Sequence, residues 1–414
     1  MKIGASILNK YKFIPAYLLT FVNVLGFSIL LPVLPFVVEQ YGCSEIVYGA
    51  LISIYSIFQA LGAPYLGRLS DSLGRKPVLL ISQAGTLLSW IIFGVAYFLP
   101  NIHILGFSVP ILVIAVARVL DGITGGNNSV TQAYVTDVAT LKEKSLIFGS
   151  IGGIVGVGMI VGPGLGGFLS SGSWGYLGTV IGAAILSMVT LCSISLWLKE
   201  SHPEEKRRPF QRESLLFSIR LHHRIQRLNP SKVIRNIFVL RGIFSIMMAA
   251  YVGTIALFII DLFHFNEQQL GVFMLVVGLF IAFNQAVVSK WFIRRWGEYW
   301  TMRLGLCCTV VGLWGITTTL HLWLYIFLYY WLNLGISLCI PCFNALLALH
   351  APSEQAGEVM GISGAIISLS NAFVPICAAA LYGLYGASIY WVLALLPLLA
   401  LLYSFQDFDP ERDG

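Results

Sequence analysis

RVLDGITGGNNSVTQAYVTDVATLKEKSLIFGSIGGIVGVGMIVGPGLGG, residues Arg118–Gly167, decides how this chain is read. Two apolar stretches flank a short charged turn. The first carries Arg118 and Asp121 near what should be mid-membrane. The second is a glycine track that ends in Gly162-Pro163 and Gly166-Gly167. Ionisable side chains are expensive to place in a membrane, so an apolar helix that keeps two of them marks a functional site. The hairpin is expected to lie beside a solute pathway.

Working outward, the rest of the chain is just as apolar. Hydrophobic residues make up 57% and charged residues 11%, with a mean hydropathy of +0.82. A soluble domain carries about twice that charge. A spanning helix needs roughly 20 mostly apolar residues. Twelve such segments begin near Phe13, Ile46, Pro77, Val109, Ser145, Gly175, Asn236, Glu267, Trp300, Leu322, Ala356 and Ala387. The expected fold is therefore an all-α membrane protein of twelve transmembrane helices in two pseudo-symmetric six-helix bundles. The bundles would span 1–198 and 236–414, joined by a basic linker over 199–235 with an amphipathic helix (Phe217, Leu221, Ile225 and Leu228 among Arg220, Arg224 and Arg227). The first apolar run lacks a small-residue cleavage site and reads as the first spanning helix, not a signal peptide.

The net charge of +6 follows topology. With the N-terminus inside, Lys and Arg fall in the inner loops and at helix ends beside them, and Arg118 is the clear exception. This positive-inside pattern puts both termini in the cytoplasm. It leaves no case for nucleic acid. The 7 cysteines suggest no disulfide framework, and Cys339-Ile-Pro-Cys342 reads as packing. No metal, cofactor or enzymatic cluster is expected, since the histidines are scattered or sit in the linker.

Arg118 and Asp121 are three apart and can pair on one helix face. Burial and a neighbouring cation act in opposite directions on a carboxyl group's hold on its proton. The pair could therefore exchange a proton as a cavity opens, or it could be a static ion pair. Near Gly67-Arg-Leu-Ser-Asp71-Ser-Leu-Gly74-Arg75-Lys76-Pro77, a carboxylate at one helix end meets two cations at the next. Asp137 is the expected partner for Arg75 and Lys76, completing a cytoplasmic gate of Gly67, Asp71, Gly74, Arg75, Lys76 and Asp137. Asn23 could make a helix-to-helix hydrogen bond or line a cavity. Gln59, Asn127, Asn284, Gln285, Asn333, Asn344 and Asn371 are the other cavity candidates. Arg241 could snorkel to the inner surface or bind a substrate anion.

These motifs, in this order, resemble the major facilitator superfamily and its tetracycline-efflux-like drug:proton antiporter branch. The Gly67–Pro77 loop matches that branch's signature loop, and Arg118-x3-Gly122-Ile-Thr-Gly125 its helix-four motif. Gly158-x3-Gly162-Pro163-x2-Gly166-Gly167 matches its antiporter motif, and Asp261-x2-His264-x-Asn266 the start of its second half. The resemblance implies alternating access by two rocking halves, a small-molecule substrate, protons as coupling ion, an inner-membrane location and a monomer in the lipid bilayer. It also implies that the glycine motif packs tightly toward the outer side. The tetracycline pumps carry an acid in helix one where Asn23 stands, and a histidine in helix eight where Ile281 stands. Asp121 replaces a usual small residue, and Ser72 a usual cation. Proton-coupled efflux of an amphipathic compound is the leading expectation. Coupled movement of a carboxylate-bearing metabolite is the alternative.

Overall fold

The computed structural model describes residues 13–104, 106–207, 221–318, 322–352 and 355–406. Helices α1 (Ile14–Ser28), α2 (Leu34–Gln40), α3 (Glu45–Leu73) and α4 (Arg75–Ala96) come first. A two-residue hairpin, β1 (His103–Ile104) and β2 (Phe107–Ser108), precedes α5 (Val109–Gly125) and α6 (Asn128–Val138). Helices α7 (Leu141–Ser170), α8 (Tyr176–Trp197), α9 (Leu221–Leu228), α10 (Lys232–Phe263) and α11 (Glu267–Phe283) follow. A π-turn at Asn284–Val288 leads to α12 (Ser289–Gly315), and α13 (Leu322–His350), α14 (Ala356–Tyr385) and α15 (Ile389–Gln406) complete the chain.

Nine stretches among the described residues are long and apolar enough to cross a membrane. Two of them, Glu267–Gly315 and Ala356–Phe405, run to 49 and 50 residues. Each is interrupted by a glycine at positive φ, Gly297 (φ 75°) and Gly386 (φ 56°), so each crosses twice. The shorter apolar helix Ile14–Ser28 brings the crossings to twelve. The same device occurs in the first half. Gly74 (φ 101°, ψ 159°) separates α3 from α4 as Gly297 (φ 75°, ψ 174°) divides α12. Gly175 and Gly386 share ψ −140° ahead of α8 and α15. These conformations are open essentially to glycine alone, so the repeat is written in backbone geometry.

The helix starts follow ordinary capping chemistry. Prolines stand in the first turn of α1, α2 and α5, where a missing N–H costs nothing. Helix α7 begins four residues before the expected Ser145, because Thr140 and Glu143 form a capping box. The Thr140 N–H donates to Glu143 Oε2 at 3.0 Å. That reciprocal pair turns a charged turn into a helix start.

The chain divides into two compact units, Met1–Ser218 with Phe263–Leu275, and Ile219–Leu262 with Val276–Gly414. The first holds a buried cluster built from Phe13, Leu66, Leu79, Tyr134, Val135 and Ile194. In the second, α12 packs along α13 and α15, and α9 packs on α14 with Leu228 buried. Of the expected amphipathic linker segment, Phe217 and Arg220 lie outside the described residues.

Candidate functional site

Close backbone approach sets up the charged pair. Helices α3 and α5 cross where Gly62, Gly122 and Gly126 face each other's neighbours. A Cβ on Gly122 would lie 2.6 Å from the Tyr55 carbonyl oxygen, and one on Gly126 would run into the Ala63 backbone. Small residues at such a crossing allow helices to touch backbone to backbone. The Gly122-Ile-Thr-Gly125-Gly126 run thus presses α5 onto α3 and carries Arg118 over the Tyr55 ring, 4.3 Å from its centroid.

Arg118 Nη1 donates to Asp121 Oδ2 at 3.0 Å, with side-chain exposures of 4% and 8%. Ser89 and Thr86 on α4 lie beside the same carboxylate, with the Ser89 hydroxyl donating to the Thr86 carbonyl at 2.7 Å. From there a buried polar ladder runs between helices. Thr86 and Thr124 share a hydrogen bond of 3.1 Å, Ser82 Oγ donates to the Thr124 carbonyl at 2.6 Å, and Asn127 Nδ2 donates to Ser82 Oγ. Asn23 Nδ2 then donates to Asn127 Oδ1. Gln59 joins from α3, donating to Tyr55 Oη at 2.9 Å and to the Gly125 carbonyl at 3.4 Å. Above Arg118 sits a void of about 10 Å³ walled by Phe27, Leu30, Leu31, Leu34, Leu51 and Ile52. Arg118 therefore faces apolar side chains there. Arg118 Nε and Asn23 Oδ1 are buried without a partner.

Asn23, Gln59 and Asn127 are thus brought together with the Arg118–Asp121 pair. The remaining cavity candidates lie in the second unit and are more scattered. Asn284, on the π-turn, accepts from Tyr330 Oη at 3.1 Å and is fully buried, as is Asn333, which donates to the Tyr329 carbonyl at 2.8 Å. Gln285 is half-buried, and Asn344 and Asn371 are exposed.

At the Gly74 end of the first unit, Arg75 is the hub. Its Nη1 donates to Asp71 Oδ1 at 2.6 Å and Ser70 Oγ at 2.6 Å, and its Nε to Asp137 Oδ2 at 3.2 Å. Lys76 takes a different partner from the one expected: its ammonium donates to the Ser195 carbonyl at 2.9 Å, not to Asp137. Of the two gate glycines, Gly67 lies within α3, beside Ser129, and Gly74 makes the turn. Sequence reading missed Glu200. Its carboxylate accepts the N–H groups of Arg75 (2.9 Å), Lys76 (3.1 Å), Ser201 (2.9 Å) and His202 (2.8 Å). The available signal was that α4 opens on two cations with no acid in its first turn, so its free N–H groups and positive dipole end needed an acid from elsewhere. Replacing Glu200 by Ala is expected to cost about 0.5–2 kcal/mol, the range for a lost helix N-cap. Thermal unfolding of the purified protein measures it, and an unchanged midpoint would refute the capping role.

The glycine track is not one uniform face. A Cβ on Gly158, Gly162 or Gly166 would meet Val24, Ser28 or Ile29 of the first crossing, and one on Gly164 or Gly167 would meet Leu275 or Glu267. Gly149, Gly152, Gly153 and Gly156 have nothing within 4 Å. Pro163 sits inside α7, its carbonyl facing Gly271. Among the described residues, no three His, Cys, Asp or Glu side chains are grouped to hold a metal.

Comparison with known proteins agrees with this architecture. The family profile of the Major Facilitator Superfamily matches residues 16–375, and the chain belongs to that family of transporters. Tetracycline resistance protein, class H, of Pasteurella multocida is 26% identical over 407 residues, covering 94% of this chain and 92% of that protein. Multidrug resistance protein 2 of Bacillus subtilis is 25% identical, covering 91% and 90%. The crystal structure of the human organic anion transporter MFSD10 (TETRAN) superposes with a TM-score of 0.71 at 22% identity, covering 96% of this chain and 99% of that one. The protein is accordingly a multi-pass membrane transporter and not an enzyme.

Proposed function

We propose that this transporter exports a small amphipathic compound from the cytoplasm in exchange for protons. The observation that carries the reading is the buried Arg118–Asp121 pair. A carboxylate that deep has a poor alternative to its arginine, so rearrangement of α3, α4 and α5 around it would load or release a proton. The tetracycline and multidrug resistance relatives favour efflux as the direction. The chain would act as a monomer in the inner membrane, both termini cytoplasmic, with the Arg75–Asp71–Asp137 cluster as cytoplasmic gate. Gln59, Asn23 and Asn127 on the first unit, and Asn284, Gln285, Asn333, Asn344 and Asn371 on the second, are the polar side chains offered to substrate. Tetracycline is not proposed as the substrate, because Asn23 replaces the acid those pumps carry in helix one.

Ethidium accumulation in cells with and without the protein tests the export reading. Accumulation should fall when the protein is present and return when an uncoupler collapses the proton gradient. Equal accumulation across ethidium, cationic and anionic amphipathic dyes would remove the export reading. A second reading, coupled transport of a carboxylate-bearing metabolite, is favoured by a different arginine.

A further inference from the structure

We propose that Arg241 receives the anionic group of a transported solute, an organic carboxylate or similar planar oxyanion on an apolar body. This rests on the chain being a small-molecule transporter and names the chemistry its second unit selects. Four arginines are buried among the described residues: Arg75, Arg118, Arg241 and Arg303. Three have oxygen acceptors. Arg75 has Asp71 and Asp137, Arg118 has Asp121, and Arg303 Nη2 donates to the Ser404 carbonyl at 2.6 Å. Arg241 has none among the described residues, and its Nε is enclosed with no acceptor at all.

The surroundings of Arg241 define what is missing. It lies nine residues into α10, roughly 14 Å along the helix axis at 1.5 Å per residue, and is 6% exposed. Its burial argues against a side chain that snorkels to the inner surface. Its guanidinium stands 5.4 Å from the centroid of the Phe343 ring, and Phe244 packs on that ring at 5.3 Å. The Cys339 thiol is the nearby titratable group, and it is turned to the Met302 carbonyl at 3.6 Å. Desolvating a guanidinium is costly, and a single cation–π contact returns only part of that cost. The shortfall is what a bound anion would supply. A guanidinium fork matches a carboxylate bidentately, and the rings beside it are apolar. A phospholipid headgroup could present the same oxyanion, so the test separates the two sources.

The purified full-length chain in phosphatidylcholine nanodiscs is melted with benzoate, with its neutral counterpart benzamide, and with neither. Ligand that binds the folded state raises the midpoint in a saturable way. Benzoate should raise it and benzamide should not. Arg241→Met should melt no lower than wild type without ligand, because it removes an uncompensated charge, and should lose the benzoate shift. Arg241→Lys, which keeps the charge but not the fork, should need about tenfold more benzoate, a loss near 1.4 kcal/mol. An equal benzamide shift, a benzoate shift retained in Arg241→Met, or an unchanged half-saturation in Arg241→Lys would each overturn the proposal. So would phosphatidylglycerol replacing benzoate as the stabilising anion, which would assign the site to lipid. Binding is read without a proton gradient. Failed export with intact benzoate binding would therefore refute the antiport reading alone, and the converse this one alone.

Discussion

Asp121→Asn and Arg118→Met, made singly, are each expected to destabilise the protein by about 3–5 kcal/mol, since each leaves the other partner buried and uncompensated. The double variant Arg118→Met with Asp121→Leu should recover wild-type stability or exceed it. Apolar replacement of a buried ion pair is often neutral or stabilising by about 1–4 kcal/mol, and Phe27, Leu30, Leu31 and Ile52 beside Arg118 are already apolar. Stability and transport should then separate. If the pair carries the coupling proton, the stable double variant cannot concentrate a substrate against its gradient, although it can still let one equilibrate. If the pair is a static brace, the restored fold restores uphill transport. Thermal unfolding and uptake into everted, energised vesicles decide between them. Wild-type uphill transport by the double variant would end the proton role assigned to Asp121.

The sequence disclosed some of these contacts and hid others for physical reasons. All twelve expected segment starts lie within four residues of a helix start or of the Gly297 break, because apolar length, proline and glycine are local signals. The late placement of α7 came from reading Thr140-Leu-Lys-Glu143 as a charged turn, although its spacing is that of a capping box. The Arg118–Asp121 pair was visible because i,i+3 spacing fixes a shared face. Tyr55 beneath Arg118 was not, since it depends on which glycines of α3 and α5 meet. Ser82, Thr86 and Ser89 were a missed chance: their spacing of four and three puts three hydroxyls on one stripe of the helix. Glu200 reaches the start of α4 across 125 residues, and no local pattern specifies that distance. Arg241 shows the opposite limit. Its position near a helix end was plain, but its burial under Phe343 is a tertiary fact.

Gly166→Val is expected to remove folded protein from the membrane, whereas Gly153→Val, thirteen residues earlier on the same helix, should leave its amount unchanged. The two substitutions add the same atoms to the same helix, so intrinsic propensity cannot separate them, and replacing glycine in a helix interior is if anything mildly favourable. The neighbours separate them. A Cβ at Gly166 meets the carbonyl oxygen and, at 3.0 Å, the carbonyl carbon of Ile29. Those are backbone atoms at the turn between α1 and α2, so no rotamer change relieves the clash and α7 must move away from the first crossing. Such overpacking typically costs about 1–3 kcal/mol, and an obstructing main chain places it at or above the upper end. Separation would also open the Ser28 Oγ to Gly158 carbonyl bond, now 2.9 Å, and expose the Thr179 hydroxyl that bonds the Gly166 carbonyl at 2.9 Å. At Gly153 nothing lies within 4 Å, and the added side chain extends into free space. Fluorescence-detected size exclusion of tagged variants measures both. Equal losses at the two positions would mean that the whole track from Gly149 to Gly167 packs as one face, and would overturn the assignment of close contact to Gly158–Gly167.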